Sequence, residues 1–489
     1  MYIVIIILYA LSLLYIFLFS LSQLHLTWIY LKHKKKTNLA KWSEDFIPHV
    51  TVQLPVYNEK YVVKRLLKAV GELDYPKEKL EIQVLDDSTD ETTSIIKEEI
   101  TSLQKRGLDI TLVHRENRKG FKAGALAHAT IKAKGDFIAI FDADFIPQQD
   151  FLRQTIPHFV NSKIGVVQTR WEHLNKNYSL LTQLQAFGLD AHFSIEQSAR
   201  NRVGSFINFN GTCGVWRKQT IAEAGGWHDD TLTEDLDLSY RAQLKGWQFL
   251  YLEDVSTPGE LPVVMPAIKS QQYRWNKGGA ETARKIFFKV LQSKKSFITK
   301  LHAFFHLFNS SVFSTLLIAA VLSVPMLYIK DQHPELSWLF NTGIIFLLGF
   351  FSIAAFYWVS NKQFSKKHTT SFFKLFPPFL IISMGLSLHN GLAVIEGLVG
   401  RKTPFIRTPK FNITKKEDGW SNNTYLHSSL NFVTILEGIL CFYFIYGCFV
   451  GIQLKDSGLL FFHIMLALGF GSIFIYSIKP LFTRKINVT

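Results

Sequence analysis

Cysteine is scarce in this chain of 489 residues, and the glycine-rich loops that bind common cofactors are missing from it. The three cysteines, Cys213, Cys441 and Cys448, are spaced neither as metal ligands nor as a disulfide framework. No Gly-x-Gly-x-x-Gly sequence follows the first predicted strand, and there is no Gly-Lys-Ser/Thr loop. These absences argue against a disulfide scaffold, a dinucleotide-dependent dehydrogenase and a P-loop enzyme. They favour a reducing compartment for the soluble part.

Acidic residues are also fewer than basic ones, 39 against 54, which gives a formal net charge of +15. A nucleic-acid-binding protein can carry such a charge, but here many basic residues stand beside long apolar segments. These are Lys32, Lys34, Lys35, Lys36, Lys366, Lys367, Arg401, Lys402, Arg407, Lys410, Lys415 and Lys416. Basic residues that flank membrane spans are typical cytoplasmic anchors. The charge therefore predicts contact with membrane lipid and no nucleic acid partner.

Long uncharged segments are abundant. The chain is 48% hydrophobic and 19% charged, which is typical of a mixed soluble and membrane architecture. Membrane-length segments lie at 2–22, 307–329, 339–359, 431–452 and 458–478. A cleaved signal peptide is the alternative for residues 2–22, but no basic residues precede them and no small-residue cleavage site follows. We expect a retained anchor with its N-terminus outside.

The positive-inside rule predicts the topology. It places 32–300, 361–372, 401–430 and the C-terminal tail in the cytoplasm. Residues 373–400 do not fit a simple span, because a crossing there would move the basic residues of 401–416 outside. The segment also holds residues that are costly in hydrocarbon, namely Pro377, Pro378, His389, Asn390 and Glu396. An interfacial or re-entrant segment is therefore favoured over a crossing.

Five regions follow from this pattern. They are an N-terminal transmembrane anchor (1–31), a cytosolic domain with interfacial helices (32–300), a transmembrane hairpin (301–360), a cytosolic or interfacial segment (361–430), and a C-terminal transmembrane hairpin with a short tail (431–489). We expect a multi-pass protein of the cell (inner) membrane with its soluble domain in the cytoplasm.

Strand and helix signals alternate between the first two spans. Strand patterns lie at His49–Leu54, Leu80–Leu85, Asp109–His114 and Asp136–Phe141, with helical patterns at 60–71, 91–106 and 122–134. This alternation predicts an open, mostly parallel sheet, which binds ligands beyond the carboxyl ends of its strands. Polar clusters follow three of the strands: Tyr57-Asn58-Glu59, Asp86-Asp87 and Asp142-Ala143-Asp144. We expect these clusters to form a site.

Asp86 and Asp87 open a run that superficially resembles a calcium loop. The run lacks the hinge glycine and the final glutamate of such a loop, since Glu91 and Lys97 occupy those positions. Asp90 is also suited to capping the helix that follows. For Asp86 and Asp87 the favoured role is contact with the nucleoside of a bound nucleotide.

Asp142 and Asp144 are separated by one residue after an apolar strand. Two such carboxylates can hold Mg²⁺ or Mn²⁺ while leaving ligand positions open for phosphate oxygens. The metal then stabilises a diphosphate leaving group as its charge develops. Lys122 is a candidate for a further phosphate contact, and a solvated lysine on a helix face is the alternative.

Two more motifs lie farther along the chain. Thr233-Glu234-Asp235 precedes a helical pattern, so it is either a helix cap or the position of a general base, Asp235, that takes a proton from an attacking hydroxyl. In Gln271-x-x-Arg274-Trp275 the guanidinium can pair with a diphosphate and the indole can stack on a sugar. The alternative for Trp275 is an aromatic anchor on an interfacial helix.

The order of these motifs resembles that of the processive inverting family 2 glycosyltransferases, which include cellulose, chitin and hyaluronan synthases. The longer runs are most similar to the plant cellulose-synthase-like A and C proteins, which make mannan and xyloglucan backbones. These runs are Gln83 to Asp90, Phe141 to Phe145, Phe209-Asn210-Gly211-Thr212 and Glu223 to Trp227. The resemblance covers residues 48–300 strongly and the membrane part loosely.

This resemblance implies an α/β catalytic domain of the GT-A type, inserted between transmembrane helices. It implies a nucleotide diphosphate sugar donor, UDP-glucose or GDP-mannose, with Mg²⁺ or Mn²⁺, and a glycan acceptor. The hexose is transferred with inversion to a growing β-linked polysaccharide, and accessory export or regulatory subunits are conceivable partners. Single addition to a lipid acceptor is the alternative. A transporter is disfavoured because one large cytosolic block interrupts the spans.

The resemblance also implies residue roles. The donor nucleotide is expected to contact Tyr57, Glu59, Asp86, Asp87, Lys122 and Asp142. The metal is expected at Asp142 and Asp144, and Asp235 is the expected base. The acceptor and the diphosphate are expected to contact Phe209, Asn210, Gly211, Glu234, Gln271, Arg274 and Trp275. Phe411-Asn412-Ile413-Thr414-Lys415 resembles the gating loop of bacterial cellulose synthase, so Phe411, Thr414 and Lys415 are expected to close over the donor, with Thr414 and Lys415 at the diphosphate.

Overall fold

The computed structural model describes residues 2–33, 40–336, 343–421, 423–426 and 430–486. Lys34, Lys35 and Lys36, which we predict to flank the first span, lie outside the described residues. So do the first residues of the predicted span 339–359, parts of the predicted cytosolic segment 361–430, and the end of the tail.

A seven-stranded sheet forms the centre of the region between the first two predicted spans. Its strands are β1 (Val50–Val56), β2 (Leu80–Asp86), β3 (Asp109–His114), β4 (Phe137–Ile140), β5 (Ile164–His173), β6 (Gly214–Arg217) and β7 (Gln248–Gly259). The strand order is β3-β2-β1-β4-β6-β5-β7. Only β6 runs antiparallel to its neighbours in this sheet. The predicted mostly parallel sheet is confirmed, and the four predicted strands correspond to β1 to β4.

The strand pairing explains why the strands contain buried polar residues. Thr51 Oγ1 on β1 donates to Glu81 Oε2 on β2 at 2.6 Å, and Gln53 Nε2 donates to Gln83 Oε1 at 3.0 Å. These cross-strand bonds satisfy polar groups that would otherwise be costly to bury. The aliphatic residues between them pack into the core, which allows the polar and apolar positions to share one strand.

Helices cover both faces of the sheet. They are α2 (Val63–Val70), α3 (Thr92–Lys105), α4 (Phe121–Lys132), α5 (Phe151–Thr155), α6 (Leu180–Ala191), α7 (Gln197–Arg202), α8 (Lys218–Glu223) and α9 (Glu234–Leu244). The three predicted helices correspond to α2, α3 and α4. A π-helical turn (His192–Glu196) joins α6 to α7 without a break. Two further helices follow, α10 (Met265–Gln292) and α11 (Phe297–Leu307). Their predicted position at the membrane surface stays a prediction.

The apolar helices are α1 (Tyr2–Lys32), α12 (Ser311–Gln332), α13 (Leu347–Phe364), α14 (His368–Gly385), α15 (Ser387–Val399), α16 (Phe432–Gln453) and α17 (Leu460–Ile486). Within the described residues, α1, α12, α16 and most of α17 are long and apolar enough to cross a membrane. They correspond to four of the five predicted spans. Helix α13 is short and ends in polar residues, and it does not meet the same criterion, so the span at 339–359 stays a prediction.

Helices α14 and α15 form a pair bent by 52°, which is compatible with a broken span or a re-entrant loop. Pro377 and Pro378 lie inside α14, and the chain bends later, at Leu386. A Cβ atom added at Gly385 would lie 2.3 Å from the Gly469 carbonyl oxygen on α17. Glycine at this position therefore allows α14 and α17 to pack backbone to backbone.

Candidate active site

A small pocket of about 120 Å³, lined by several charged side chains, lies at the carboxyl ends of β1, β2 and β4. The predicted residues that line it are Tyr57, Glu59, Asp87, Lys122, Asp142, Asp144 and Arg274. The strand ends place these side chains together as expected for a parallel sheet. Three regions far apart in sequence contribute to this pocket: the loops after the strands, helix α10 and the segment after α15. We call it the donor pocket.

Asp87 and its neighbour Asp86 have different environments. Asp87 lines the donor pocket and accepts hydrogen bonds from the Arg115 guanidinium through both carboxylate oxygens. Asp86 is fully buried, and its oxygens accept from Thr93 Oγ1 at 2.6 Å and from the Ser88 backbone N–H at 3.0 Å. The prediction that Asp86 contacts the nucleoside is therefore corrected. Its carboxylate stabilises the loop that presents Asp87.

Asp142 and Asp144 each have an ammonium group at hydrogen-bonding distance. Lys122 Nζ donates to Asp142 Oδ1 at 2.6 Å, and Lys410 Nζ donates to Asp144 Oδ2 at 2.5 Å. The two carboxylates thus present oxygen ligands that already attract cations, and an oxygen ligand set suits Mg²⁺ or Mn²⁺. The residues present therefore fit a divalent cation. The positions of the Lys122 and Lys410 ammonium groups show that positive charge is favoured beside these two carboxylates.

Lys122 lies between the carboxylates of the site. Besides Asp142, its Nζ donates to the Gly211 carbonyl oxygen at 2.9 Å and lies 4.0 Å from Glu234. Burial alone would lower the pKa of Lys122, but the charges of Asp142 and Glu234 outweigh it and raise the pKa above its usual value. The alternative of a solvated lysine on a helix face is excluded, and Lys122 stays charged.

Asp235 lies in the first turn of α9 and lines a second, larger cavity. Burial and the neighbouring Glu234 carboxylate raise the pKa of Asp235 to about 7. Burial also raises the pKa of Glu234. A Cβ atom at Gly211, whose φ is +80°, would lie 2.9 Å from Asp235 Oδ2, so glycine is required there. A carboxylate with this pKa can accept a proton near neutral pH.

The helix-cap interpretation of Thr233 is not supported. Thr233 precedes α9, but its side chain makes no capping hydrogen bond. Its hydroxyl lies 3.1 Å from Thr282 Oγ1 on α10 instead. The Thr-Glu-Asp motif therefore links α9 to α10.

The residues of the Gln271-x-x-Arg274-Trp275 motif on helix α10 line two different cavities. Arg274 faces the donor pocket, where its Nη2 donates to Thr408 Oγ1 at 2.7 Å. Gln271 and Trp275, one helical turn apart, line the larger cavity together with Asp235. Asp235 therefore shares the larger cavity with Gln271 and Trp275, while Arg274 of the same helix lines the donor pocket.

The larger cavity has a volume of about 430 Å³ and extends from Asp235 into the membrane helices. Asn210 and Trp171 line it near Asp235, and Phe19, Phe356 and Phe379 line it among α1, α13 and α14. We call it the acceptor cavity. Sequence reasoning did not find the π-helical turn, whose His192 and Glu196 side chains also face this cavity, and no local signal distinguished it from an ordinary helix.

Phe209 does not line either cavity. Its side chain is fully buried and packs edge-to-face against Trp216, with ring centroids 5.5 Å apart. The prediction that Phe209 contacts the acceptor is therefore corrected. In the run Phe209-Asn210-Gly211 only Asn210 lines the acceptor cavity, and Gly211 provides space beside Asp235.

The segment after α15 contributes to the donor pocket, but the predicted gating residues Phe411, Thr414 and Lys415 do not line it. Phe411 is buried, and its backbone N–H donates to Glu260 Oε1 at 2.9 Å. Thr414 and Lys415 are exposed, and their backbone N–H groups donate to Asp418 Oδ2, each at 2.8 Å. The expectation that Thr414 and Lys415 meet the diphosphate is not met in this conformation. The residues of this segment that line the pocket are Phe405, Arg407, Thr408 and Lys410.

Comparison with known proteins agrees with this geometry. A family model described as glycosyltransferase like family 2 matches residues 48–278. The chain is 38% identical over 381 residues to glucomannan 4-beta-mannosyltransferase 1 of Oryza sativa subsp. japonica. The aligned residues cover 74% of this chain and 69% of that protein. It is 36% identical over 383 residues to glucomannan 4-beta-mannosyltransferase 7 of Arabidopsis thaliana, covering 76% and 66%.

A solved structure has the same fold. It is a mannosyltransferase from Pyrobaculum calidifontis in complex with GDP-Man and Mn²⁺, with a TM-score of 0.56, 20% sequence identity, and coverage of 81% of this chain and 100% of that one. At this identity the likeness concerns the GT-A fold alone. Taken with the plant relatives, it leads to the conclusion that the chain belongs to family 2 of the glycosyltransferases, as a cellulose-synthase-like enzyme with a GT-A catalytic domain.

Proposed function

We propose that the protein transfers mannose from GDP-mannose, with inversion, to the end of a growing β-linked polysaccharide. The observation that carries this proposal is the position of Asp235, a carboxyl with a pKa of about 7 that lines the acceptor cavity. It lies beside Gly211, whose carbonyl oxygen accepts a hydrogen bond from Lys122 of the donor pocket. The names of the plant relatives and the GDP-Man complex of the structural neighbour support mannose over glucose.

In the proposed reaction, Asp235 takes the proton from an acceptor hydroxyl in the acceptor cavity. The hydroxyl oxygen attacks the anomeric carbon from the face opposite the diphosphate. The new glycosidic bond forms as the bond to the diphosphate oxygen breaks, and its electron pair leaves with GDP. One displacement at one carbon inverts its configuration, so an α-linked donor yields a β-linked product.

The donor pocket supplies charge for the two ends of the nucleotide. In this proposal Asp87, which accepts hydrogen bonds from Arg115, and Glu59 bind the nucleoside, while Lys122 and Arg274 bind the diphosphate; all four line the donor pocket. A divalent cation, Mg²⁺ or Mn²⁺, held by Asp142 and Asp144, would neutralise the charge of the leaving diphosphate. Lys122 also bridges Asp142 and the Gly211 carbonyl next to Asp235, so it couples the two halves of the site.

The acceptor cavity suits a sugar chain. Its volume of about 430 Å³ lies in the range of small-molecule sites. Trp275 and Trp171, with ring centroids 6.4 Å apart, provide flat faces beside the base, and Asn210 and Gln271 provide hydrogen-bonding groups. The apolar part of the wall, formed by Phe19, Phe356 and Phe379 among other residues, favours a second candidate: single addition to a lipid acceptor.

The shared donor pocket supports the predicted topology. Lys410 contacts Asp144, so the segment 401–416 and the catalytic region lie on the same side of the membrane. If α12 and α13 form a transmembrane hairpin, the end of α13 is on the same side of the membrane as the catalytic region. The chain must then cross the membrane an even number of times, or not at all, between the end of α13 and the segment 401–416. This favours α14 and α15 as a re-entrant pair. We infer a multi-pass protein of the cell membrane whose catalytic region, 32–300, and segment 361–430 are cytoplasmic, between membrane regions 1–31, 301–360 and 431–489.

The test is donor incorporation followed by sizing of the product. Membranes that contain the protein are incubated with labelled GDP-mannose or UDP-glucose, and the Asp235→Asn variant is the matched control. We expect mannose in a high-mass product that is insoluble in organic solvent, and none with the variant. Label confined to a small organic-soluble product would favour the lipid acceptor, and incorporation of glucose alone would contradict the choice of mannose.

A further inference from the structure

Residues 403–411, which we call the covering segment, cross the mouth of the donor pocket. Phe405 stacks on Phe121 of α4 with ring centroids 5.2 Å apart. Thr408 accepts a hydrogen bond from Arg274, and Thr403 accepts one from Lys277 Nζ at 2.5 Å. The segment is thus attached to the catalytic domain and to α10 by side-chain contacts along its length.

Two ion pairs join the covering segment to carboxylates of the pocket. Arg407 Nη1 lies 2.7 Å from Glu59 Oε2, and Lys410 Nζ lies 2.5 Å from Asp144 Oδ2. The Arg407 and Lys410 side chains are only 14% and 13% exposed. Both cations have therefore lost most of their hydration, and the carboxylates they face compensate for this loss. The Arg407 guanidinium also lies over the Tyr425 ring, 4.4 Å from its centroid.

The basic residues after α15 have different orientations. Arg401 is 70% exposed and pairs with Glu396, and Lys416 is also exposed. These residues are available to a lipid surface, as predicted for the whole run. Arg407 and Lys410 instead face the donor pocket, so contact with lipid does not account for them.

The charge of the pocket shows what the two cations are suited to bind. The catalytic region contributes four carboxylates, from Glu59, Asp87, Asp142 and Asp144, to the pocket lining. It contributes three cations, from Arg118, Lys122 and Arg274, and the covering segment adds two more. Lys410 occupies one oxygen of Asp144, Oδ2. A divalent cation that binds this carboxylate competes with the ammonium group for that oxygen and repels its positive charge. When the divalent cation binds Asp144, Lys410 is left next to the diphosphate that arrives with it.

We propose that Lys410 and Arg407 are donor-binding residues, and that Lys410 exchanges partners when the nucleotide enters. Without donor, Lys410 occupies Asp144 and Arg407 occupies Glu59. With donor and divalent cation, the cation takes Asp144, Lys410 binds a diphosphate oxygen, and Arg407 binds the nucleoside end together with Glu59. This inference rests on the proposed function and deepens it, because it names residues outside the catalytic domain that bind the donor.

The test measures binding without turnover, on the full-length protein in detergent. Mn²⁺ affinity is measured by electron paramagnetic resonance in the absence of nucleotide, and GDP affinity by calorimetry in the presence of Mn²⁺. In Lys410→Gln we expect Mn²⁺ to bind about tenfold tighter, because its competitor at Asp144 is gone, and GDP to bind about tenfold more weakly, because a phosphate contact is gone. Lys410→Arg should retain GDP affinity, and the exposed Lys416→Gln is the matched control that should change neither value.

The outcomes separate this inference from its basis. If Lys410→Gln binds both Mn²⁺ and GDP like the wild type, Lys410 has neither role and the inference is wrong. If both ligands bind more tightly to Lys410→Gln, the covering segment only blocks the pocket, which also overturns the inference. If the wild-type protein binds Mn²⁺ and GDP normally but shows no transfer, the proposed function fails while the exchange at Asp144 stands.

Discussion

Lys269 on α10 and Glu437 on α16 form a buried ion pair in which Nζ donates to Oε2 at 2.6 Å. The two side chains are 9% and 0% exposed, and 168 residues separate them in the chain. Lys269 precedes Gln271 by two residues, and its carbonyl oxygen lies 3.0 Å from His389 Nε2 on α15. The helix that carries Arg274 and Trp275 is therefore fixed to the C-terminal membrane helices.

The ion pair leads to a stability prediction. Lys269→Met leaves the Glu437 carboxylate buried without its partner, which should lower the free energy of unfolding by about 3–5 kcal/mol. The double variant Lys269→Met/Glu437→Leu removes both charges and should recover most of that loss. Thermal unfolding of the protein in detergent measures both effects. A double variant as unstable as the single one would mean that the pair is not the cause.

Asp235→Asn tests the general base. The amide has nearly the same shape but cannot accept the proton, so transfer should fall by about 10²–10⁴-fold. GDP should bind as before, because Asp235 does not line the donor pocket. Initial rates with labelled donor measure the loss. Retention of more than about a third of the rate would exclude Asp235 as the base.

The pH dependence of turnover should report the same carboxyl. Burial and Glu234 raise the pKa of Asp235 to about 7. Only the deprotonated form accepts the acceptor proton, so kcat should rise as pH increases through about 7 and then level off. Burial also raises the pKa of Glu59 to about 7, against the effect of Arg407. Because Glu59 lines the donor pocket, its titration should change the KM for donor, and separate kcat and KM profiles distinguish the two groups.

The parts of the site on the strands could be predicted from the sequence, because short-range rules apply there. Asp142 and Asp144 come within four residues of the end of β4, and the carboxyl ends of parallel strands meet at one edge of the sheet. The predictions that Asp86 contacts the nucleoside and that Phe209 contacts the acceptor failed for a local reason. Each of these residues is next to one that does face a cavity, Asp87 and Asn210. Adjacent positions point to opposite sides of an extended chain.

Long-range contacts were beyond the same reasoning. Lys410 is 266 residues from Asp144 in sequence, and a lysine beside an apolar helix has the pattern of a lipid anchor. Burial of that lysine against a carboxylate depends on tertiary packing. The family motif directed attention to the right segment, yet in this conformation Thr414 bonds to Asp418 and not to the pocket.

Removal of divalent metal should stop transfer. The diphosphate would otherwise stand beside Asp142 and Asp144 with too little positive charge to offset the repulsion. Excess chelator should abolish incorporation, and added Mn²⁺ or Mg²⁺ should restore it. Asp144→Asn should weaken Mn²⁺ binding in the absence of substrate, while Asp86→Asn, whose oxygens are engaged away from the pocket, should leave it unchanged. Full turnover in chelator would contradict the metal requirement.

Topology can be tested at Asn412, an exposed residue that accepts a hydrogen bond from Arg65 Nη1 at 2.8 Å. A cysteine there, in a background with Cys213, Cys441 and Cys448 replaced, should react with a membrane-impermeant reagent only after the membrane is permeabilised. Ser457→Cys, in the exposed turn between α16 and α17, is the matched control and should react from outside.

Bound GDP and Mn²⁺ should slow the reaction at position 412 if the segment closes over the donor. Labelling of position 412 from outside would make α14 and α15 a true crossing and would separate the covering segment from Asp144, so the donor pocket described by the ion pairs could not form.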